Sequence, residues 1–96
     1  EYNDNRLSLY SAQMGKCAIT GKVMEIGDIH CHHKVPICHG GTDKYQNLVL
    51  VCEKVHKLIH ATNPETINKL LAELNLNSKQ LKTLKKLRNL VLVESC

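Results

Sequence analysis

The N-terminal third of the chain changes from a helix-like to a strand-like spacing of apolar residues. In the first fifteen residues, polar groups alternate with Leu7, Leu9, Tyr10 and Met14 at a spacing that permits one short amphipathic helix. Gly15 is favourable at a helix C-terminus, so we expect the helix to end there. Residues 17 to 33 become strand-like: the stretch VMEIGDIHC alternates roughly every second residue, and Gly21 and Gly27 divide the region into short pieces. This second pattern predicts a β-hairpin or ribbon.

Residues 34 to 46 separate this ribbon from the next apolar run. They include the turn-forming residues Pro36, Gly40, Gly41 and Asp43, and they predict a loop of about a dozen residues, long enough to suggest a function. The stretch NLVLV that follows is typical of a buried strand. From Cys52 to residue 61 the spacing becomes helical, with one apolar side formed by Val55, Leu58 and Ile59.

The last third of the chain predicts two more amphipathic helices. Asn63 is a good N-cap and Pro64 suits the first helical position. The apolar face of this helix comprises Ile67, Leu70, Leu71 and Leu74. Ser78 can cap the following helix, whose apolar face comprises Leu81, Leu84, Leu87 and Val91.

Length and composition limit what these elements can build. A chain of 96 residues makes one compact domain near the lower end of the usual size range, where ordering by a metal or a partner is plausible. With no Trp or Phe and three Tyr, the core must be aliphatic. Thirteen Lys and Arg against nine Asp and Glu give a net charge of +4, which suits a polyanionic partner without requiring one.

The cysteines and the termini bear on location and on completeness. Five cysteines is an odd number, and their spacing fits no disulfide framework. No signal peptide or membrane-spanning run is evident, so we expect a reducing cytosol and no membrane partner. Because the sequence begins with Glu1 and not Met, we expect it to be a piece of a larger multidomain protein.

All six histidines lie between residues 30 and 60, which indicates a site. His56 and His60 are four residues apart on the predicted helix, so both can reach one metal ion or phosphate. A zinc protease needs Glu directly after the first of two such histidines, and Lys57 occupies that position. A zinc finger could use Cys52 with both histidines, but the chain has no C-x-x-C partner, since Thr20 and Val55 stand where second cysteines would be.

Several motifs between residues 17 and 60 recur in an order and spacing that resemble the HNH endonuclease family: HHKVP, GGTD, NLVLVC and VHKLIH. The resemblance implies an α+β fold with a small ββα-metal motif that holds one divalent ion against a scissile phosphate. On this basis residues 1–16 form an N-terminal helix and lead-in, residues 17–61 the ββα-metal core, and residues 63–96 two C-terminal helices of a single domain.

The same resemblance implies a role for each matching residue. His33 matches the general base, and Asn47 matches the residue that braces the loop and helps to orient that base. His32 and His56 match metal ligands, and His60 completes the metal shell or contacts phosphate. Imidazole ligands favour Zn, Ni or Mn, but a site with many waters also works with Mg, so the sequence leaves the ion open.

Strand geometry complicates this assignment. Neighbouring residues of a strand point to opposite faces, so His32 and His33 can share a site only if the strand ends there, which we predict. In a competing geometry the metal pair is His30 and His32, which face the same way. Otherwise we interpret His30 and His39 as ordinary polar residues.

A wider resemblance covers most of the chain and adds a biological context. The stretches YNDNRLSLYSAQMGKCAITG, IHCHHKVP, GGTDKYQNLVLV and VHKLIHA look like the C-terminal endonuclease region of bacterial group II intron-encoded reverse transcriptase/maturase proteins. This resemblance implies that the domain nicks target DNA, and that the new 3′ end primes reverse transcription of intron RNA. The implied partners are target DNA, intron RNA through the parent protein, and reverse transcriptase and maturase domains in cis. The implied location is the bacterial cytoplasm, at the nucleoid when DNA is bound.

Two features remain open. The helix after Ser78 carries five positive charges in ten residues and no acid, which suits either a phosphate-contacting surface or a solvated face. The candidate nucleic-acid contacts are Lys34, Lys57, Lys79, Lys82 and Lys86. Many HNH nucleases have two cysteine knuckles, whereas here we expect no complete structural zinc site. Either packing holds the hairpin, or an irregular set forms from Cys17, Cys31, Cys38 and Cys52.

The rival interpretation of the whole chain is a non-catalytic, metal-containing module that binds nucleic acid.

Overall fold

A computed structural model describes residues 1–92 of the chain, with side chains as far as residue 91. In this part the main elements are α1 (Tyr2–Ala12), β1 (Ile29–His33), β2 (Leu48–Cys52), α2 (Glu53–His60), α3 (Pro64–Leu74) and α4 (Ser78–Leu92). Short 3-10 turns occur at Ile26–Asp28, Ile37–His39 and Tyr45–Asn47. The predicted α+β class is therefore confirmed. The part of the C-terminal prediction that covers residues 93–96 lies outside the described residues.

The two strands form an antiparallel sheet that separates two groups of side chains. His33 pairs with Leu48 and His32 with Val49, and the pairing continues to Ile29 opposite Cys52. Residues opposite each other in such a ladder share a face. We call the side with His30 and His32, against which α2 packs, the α2 face; the other side, with His33, is the α1 face.

The core is aliphatic, as predicted. Leu48 and Leu50 are buried beneath α1, while Val55, Leu58 and Ile59 of α2 have no exposed surface. Helices α3 and α4 both pack against α2, so they hold in place the helix that carries His56 and His60. None of the helices within residues 1–92 is both long and apolar enough to cross a membrane.

The predicted ribbon before β1 is largely wrong. Within residues 16–28 the only bridge in the described structure joins Lys16 to Val23, and the chain then makes a 3-10 turn before β1 begins at Ile29. The alternation in VMEI buries Met24 but leaves Val23 and Ile26 exposed. Val23 has only its single bridge to Lys16, and Ile26 lies in the 3-10 turn, because β2 pairs with β1 alone among the described residues.

Helix α1 also differs from its prediction. It ends at Ala12, and Met14 and Gly15 take left-handed conformations with φ of 57° and 71°. The residue that it buries is Leu9, whereas Leu7 and Met14, two of the apolar residues from which the helix was predicted, are about 70% exposed (69% and 73%). An apolar spacing therefore located the helix without identifying the buried face.

The start of α3 matches its prediction, and the start of α4 shifts by one residue. The Asn63 side chain accepts a hydrogen bond from Glu65 N at 2.8 Å, and Pro64 is the first helical residue. At α4 the capping residue is Asn77 and not the predicted Ser78. Its backbone N donates to Gln80 Oε1 and its Oδ1 accepts from Gln80 N, a reciprocal capping box.

Candidate metal centre and active site

Three histidines meet where β1 lies against α2. One nitrogen from each of His32, His56 and His60 lies within 4.8 Å of the others, and this is the only such group of His, Cys, Asp or Glu among the described residues. His56 and His60 are one turn apart at the border of the buried face of α2. His32 faces them from β1, with its ring centroid 5.3 Å from that of His56 and 5.2 Å from that of His60.

Burial keeps these imidazoles neutral. His32 is 2% exposed, and its Nε2 makes no hydrogen bond in the described structure. Burial, with the neighbouring histidines adding to it, lowers the pKa of His32 to about 3 and that of His56 to about 4. Burial also lowers the pKa of His60. At neutral pH the rings therefore present unprotonated nitrogens, which is the form that binds a metal ion.

His30 lies beside this triad but does not belong to it. Its Nδ1 is 3.1 Å from Nδ1 of His56, so one of these nitrogens donates to the other. The three nitrogens that converge are those of His32, His56 and His60, so the competing geometry with His30 and His32 as the metal pair is not the one observed. His30 is also more than an ordinary polar residue, because it contacts His56 of the triad. The sequence indicated its place on this face, since His30 and His32 are two residues apart and side chains at that spacing in a strand point the same way.

His33 lies on the opposite face of the sheet. Strand β1 ends at His33, as predicted, but the alternation persists through that residue and points its ring towards α1. His33 Nε2 is 2.7 Å from Asp43 Oδ1, and the ring of Tyr2 stacks parallel to it with centroids 5.8 Å apart. The sequence predicted Asp43 only as a turn-forming residue and gave neither Asp43 nor Tyr2 a place at the site, although Asp43 belongs to the GGTD motif.

Asn47 holds the loop that brings Asp43 to His33. Its Oδ1 accepts from Val35 N at 2.9 Å, and its Nδ2 donates to Val35 O at 3.1 Å and to Thr42 O at 2.8 Å. Gly41 packs so closely on the Val35 carbonyl that an added Cβ would lie 1.8 Å from its oxygen. The loop is therefore a closed and specific structure, although it contains only short 3-10 turns.

A comparison with protein families identifies the family to which this arrangement of histidines belongs. The HNH endonuclease family matches residues 15–62, half of the chain, a stretch that contains both strands, α2 and all six histidines. The chain belongs to the HNH endonuclease family. No curated protein and no solved structure matches it. The family is one of nucleases that bind a divalent metal and act on DNA, and the two antiparallel strands followed by α2 agree with its ββα-metal fold.

The triad fits the divalent ion that HNH domains bind. His32 offers a buried nitrogen with no hydrogen bond, and all three rings are held neutral. A set of three imidazoles matches the ligand preference of Zn, Ni and similar ions, and leaves further positions for water or substrate.

Two free thiols of the HNH domain, those of Cys17 and Cys52, lie beside each other. Cys17 Sγ accepts a hydrogen bond from Cys52 N at 3.5 Å, and both thiols are free. The thiol hydrogen bond between them lowers the pKa of Cys17 and raises that of Cys52. Cys31 lies beside Tyr2. Among the described residues, Cys17, Cys31, Cys38 and Cys52 do not form one ligand set.

The basic residues of the chain differ in their surroundings. Lys57 is exposed and pairs with Glu53 at 3.0 Å, whereas Lys34 is partly buried at the end of β1. Arg88 donates to the carbonyl oxygen of Leu58, so one of the five charges on α4 holds this helix to α2. The other four, all exposed, are Lys79, Lys82, Lys85 and Lys86.

Proposed function

We propose that this HNH domain is a metal-dependent DNA endonuclease that hydrolyses one strand at the His32–His56–His60 triad, with His33 as general base. The observation that carries the proposal is the convergence of three neutral imidazoles within 4.8 Å beside the end of the strand that also bears His33. The family match supplies the reaction class, and the triad supplies a place for the ion.

The proposed chemistry needs few protein groups. His33 removes a proton from the attacking water, which contributes typically 100- to 10,000-fold to such reactions. A divalent ion held by the triad would stabilise negative charge on the phosphate and on the leaving oxygen. Asn47 keeps the loop closed through its three hydrogen bonds, and thereby keeps the base in place.

We further propose that the cut provides a 3′ primer for reverse transcription of a group II intron. This rests on the resemblance of most of the chain to the endonuclease region of intron-encoded reverse transcriptase/maturase proteins. A single histidine triad in the described residues suits a nick better than a double-strand cut. The proposed partners are target DNA, intron RNA, and reverse transcriptase and maturase domains in cis, in the bacterial cytoplasm or at the nucleoid.

The exposed lysines of α4 are the proposed nucleic-acid contacts of the C-terminal region. Lys79, Lys82 and Lys86 are spaced three and four residues apart, so they form one stripe on the side of α4 opposite its buried residues Leu84 and Leu87. With Lys34 and Lys57, which lie nearer to the histidines, they complete the proposed contact set. Lysine contacts to phosphate bind DNA without regard to sequence.

One observation favours a second candidate function. His32 is almost as buried as the aliphatic core, so an ion at the triad could hold β1 against α2 in a non-catalytic module that binds nucleic acid. Such a module would unfold when the metal is removed, whereas a catalytic site would only lose activity. Circular dichroism during chelation therefore separates the two functions.

The test of the proposed nuclease is the nicking of supercoiled plasmid by metal-stripped protein after Mg, Mn, Ni or Zn is added back. We expect metal-dependent nicking that falls at least 100-fold in His33→Ala. His39→Ala, a histidine substitution outside the triad, should nick normally. Nicking by His33→Ala at the wild-type rate would contradict the role of His33, and absence of nicking with every metal would contradict the catalytic function of this chain on its own.

The primer function has its own test. The nicked product should be extended directly by a DNA polymerase, because hydrolysis that leaves a 3′ hydroxyl needs no end repair. A 3′ phosphate, visible as extension only after phosphatase treatment, would contradict it.

A further inference from the structure

The contact between His33 and Asp43 is the most specific polar interaction on the α1 face. Nε2 of His33 and Oδ1 of Asp43 are 2.7 Å apart, at the short end of the range for hydrogen bonds between nitrogen and oxygen. Among the described residues this is the only hydrogen bond made by the Asp43 carboxylate. It joins the last residue of β1 to a loop residue ten positions later.

Three neighbours fix both partners of this contact. The backbone beside Asp43 is held on one side by Asn47, which donates to Thr42 O, and on the other by Asn5 of α1, which donates to Asp43 O at 2.8 Å. Tyr2 lies parallel to the His33 ring, with an interplanar angle of 1°. Stacking restricts the tilt of the ring, and the hydrogen bond to Asp43 fixes its rotation within that plane.

The acceptor decides which ring nitrogen bears hydrogen. An ionised carboxylate can only accept a hydrogen bond, so Nε2 of His33 must donate. In a neutral imidazole the other nitrogen, Nδ1, then has the free lone pair. Without such a partner, a neutral histidine can carry its hydrogen on either nitrogen, and only one form has the lone pair on Nδ1.

We propose that Asp43 is a positioning residue that fixes His33 in the Nε2–H tautomer, so that Nδ1 is the atom that accepts the proton from water. The inference rests on the function proposed for His33 as general base. In that step the water O–H bond breaks and the proton forms a bond to Nδ1. The water oxygen bonds to phosphorus as the bond from phosphorus to the 3′ oxygen breaks, and that oxygen takes a proton from solvent to become the 3′ hydroxyl. The resulting imidazolium keeps its Nε2–H bond to the Asp43 carboxylate, which offsets the new positive charge.

The kinetic test compares Asp43→Asn, Asp43→Ala and Asp43→Glu in the full chain by plasmid nicking. We expect kcat to fall roughly 10- to 100-fold in the first two variants, the usual effect of removing a group that orients a histidine, with KM and Zn²⁺ affinity unchanged. Asp43→Glu keeps the acceptor and should recover part of the rate. The matched control Asp4→Asn, the same chemical change on exposed α1, should have wild-type kinetics.

Two outcomes of this experiment would overturn the proposal. One is an unchanged kcat in Asp43→Asn and Asp43→Ala. The other is a loss in which Asp43→Glu is as impaired as Asp43→Ala, because a purely structural need for aspartate would then account for the effect.

A second measurement is independent of nuclease activity. Long-range ¹H–¹⁵N spectra of the ¹⁵N-labelled, metal-stripped protein report which ring nitrogen of His33 carries hydrogen. We expect Nε2–H in the wild type and a mixture of tautomers in Asp43→Ala. Predominant Nδ1–H in the wild type would overturn the proposal. If the wild type has the expected tautomer but nicks no DNA, the failure lies in the function proposed for His33 and not in the contact that Asp43 makes.

Discussion

The two faces of the sheet hold two kinds of histidine site. On the α2 face, His32 is 2% exposed and its ring lies directly against those of His56 and His60. On the α1 face, the His33 side chain is 25% exposed and its partner Asp43 is 49% exposed, on a loop. The buried face is suited to hold a metal ion in neutral ligands, and the open face to exchange protons with water. A strand that alternates its side chains can thus supply both from adjacent residues.

The largest effect that separates the faces should be on metal affinity. His60→Ala removes one of the three converging nitrogens from an exposed position. We expect Zn²⁺ affinity to fall more than about 100-fold, because substituting residues that only orient metal ligands already lowers affinity 10- to 100-fold. Folding stability should change little, because the position is exposed. Isothermal titration measures this affinity, with His39→Ala as the control. Unchanged affinity in His60→Ala would exclude His60 as a ligand.

The pH dependence of stability should reveal the buried face in the metal-stripped protein. The pKa of His32 falls from 6.5 to about 3 on folding, and that of His56 to about 4, so the unfolded chain binds more protons between those values and 6.5. The free energy of unfolding should be highest above pH 6.5 and should decrease as the pH falls towards 4. The loss for His32 alone is on the order of a few kcal/mol, at about 1.4 kcal/mol per pKa unit.

Denaturant unfolding at several pH values measures this effect. His56→Gln should flatten the dependence, and Lys69→Gln on exposed α3 should leave it as in the wild type. A free energy of unfolding that stays constant between pH 7 and pH 4.5 would contradict the neutral, buried state of these rings.

Loss of the loop brace should affect the α1 face selectively. Asn47→Ala removes three hydrogen bonds from the loop between the strands, and we expect unfolding to become easier by roughly 1–3 kcal/mol because the Val35 and Thr42 groups lose partners. Nicking should fall, while Zn²⁺ affinity per folded molecule should persist. Asn47→Asp keeps the acceptor for Val35 N and should be milder. Equal loss of metal affinity and nicking would show that the faces are not independent.

The smallest predicted effect concerns the lysine stripe of α4, which belongs to neither face. If Lys79, Lys82 and Lys86 each contact a phosphate, each change to Gln should reduce the slope of log affinity against log salt by about 0.9. Titration of a labelled DNA duplex at several salt concentrations measures the slope. Lys69→Gln on exposed α3 is the control, and an unchanged slope in all three α4 variants would identify the stripe as a solvated surface.

These faces also differ in how far the sequence predicts them. The pairing of His56 with His60 follows from helical periodicity, and both strands and the caps around Asn63 follow from local patterns. The Asp43 contact depends on how a loop closes over Gly41 and Asn47, which no periodicity encodes. The ribbon prediction failed for a related reason, because alternation around Val23 says nothing about whether a partner strand lies beside it.

The central claim, that the two faces divide metal binding from proton transfer, is tested most directly by one comparison on His33→Ala. The measurement is Zn²⁺ affinity by isothermal titration beside plasmid nicking in the same preparation. We predict wild-type affinity with nicking reduced at least 100-fold. A fall in Zn²⁺ affinity as large as that of His60→Ala would contradict the account, because His33 would then be a metal ligand and not the base.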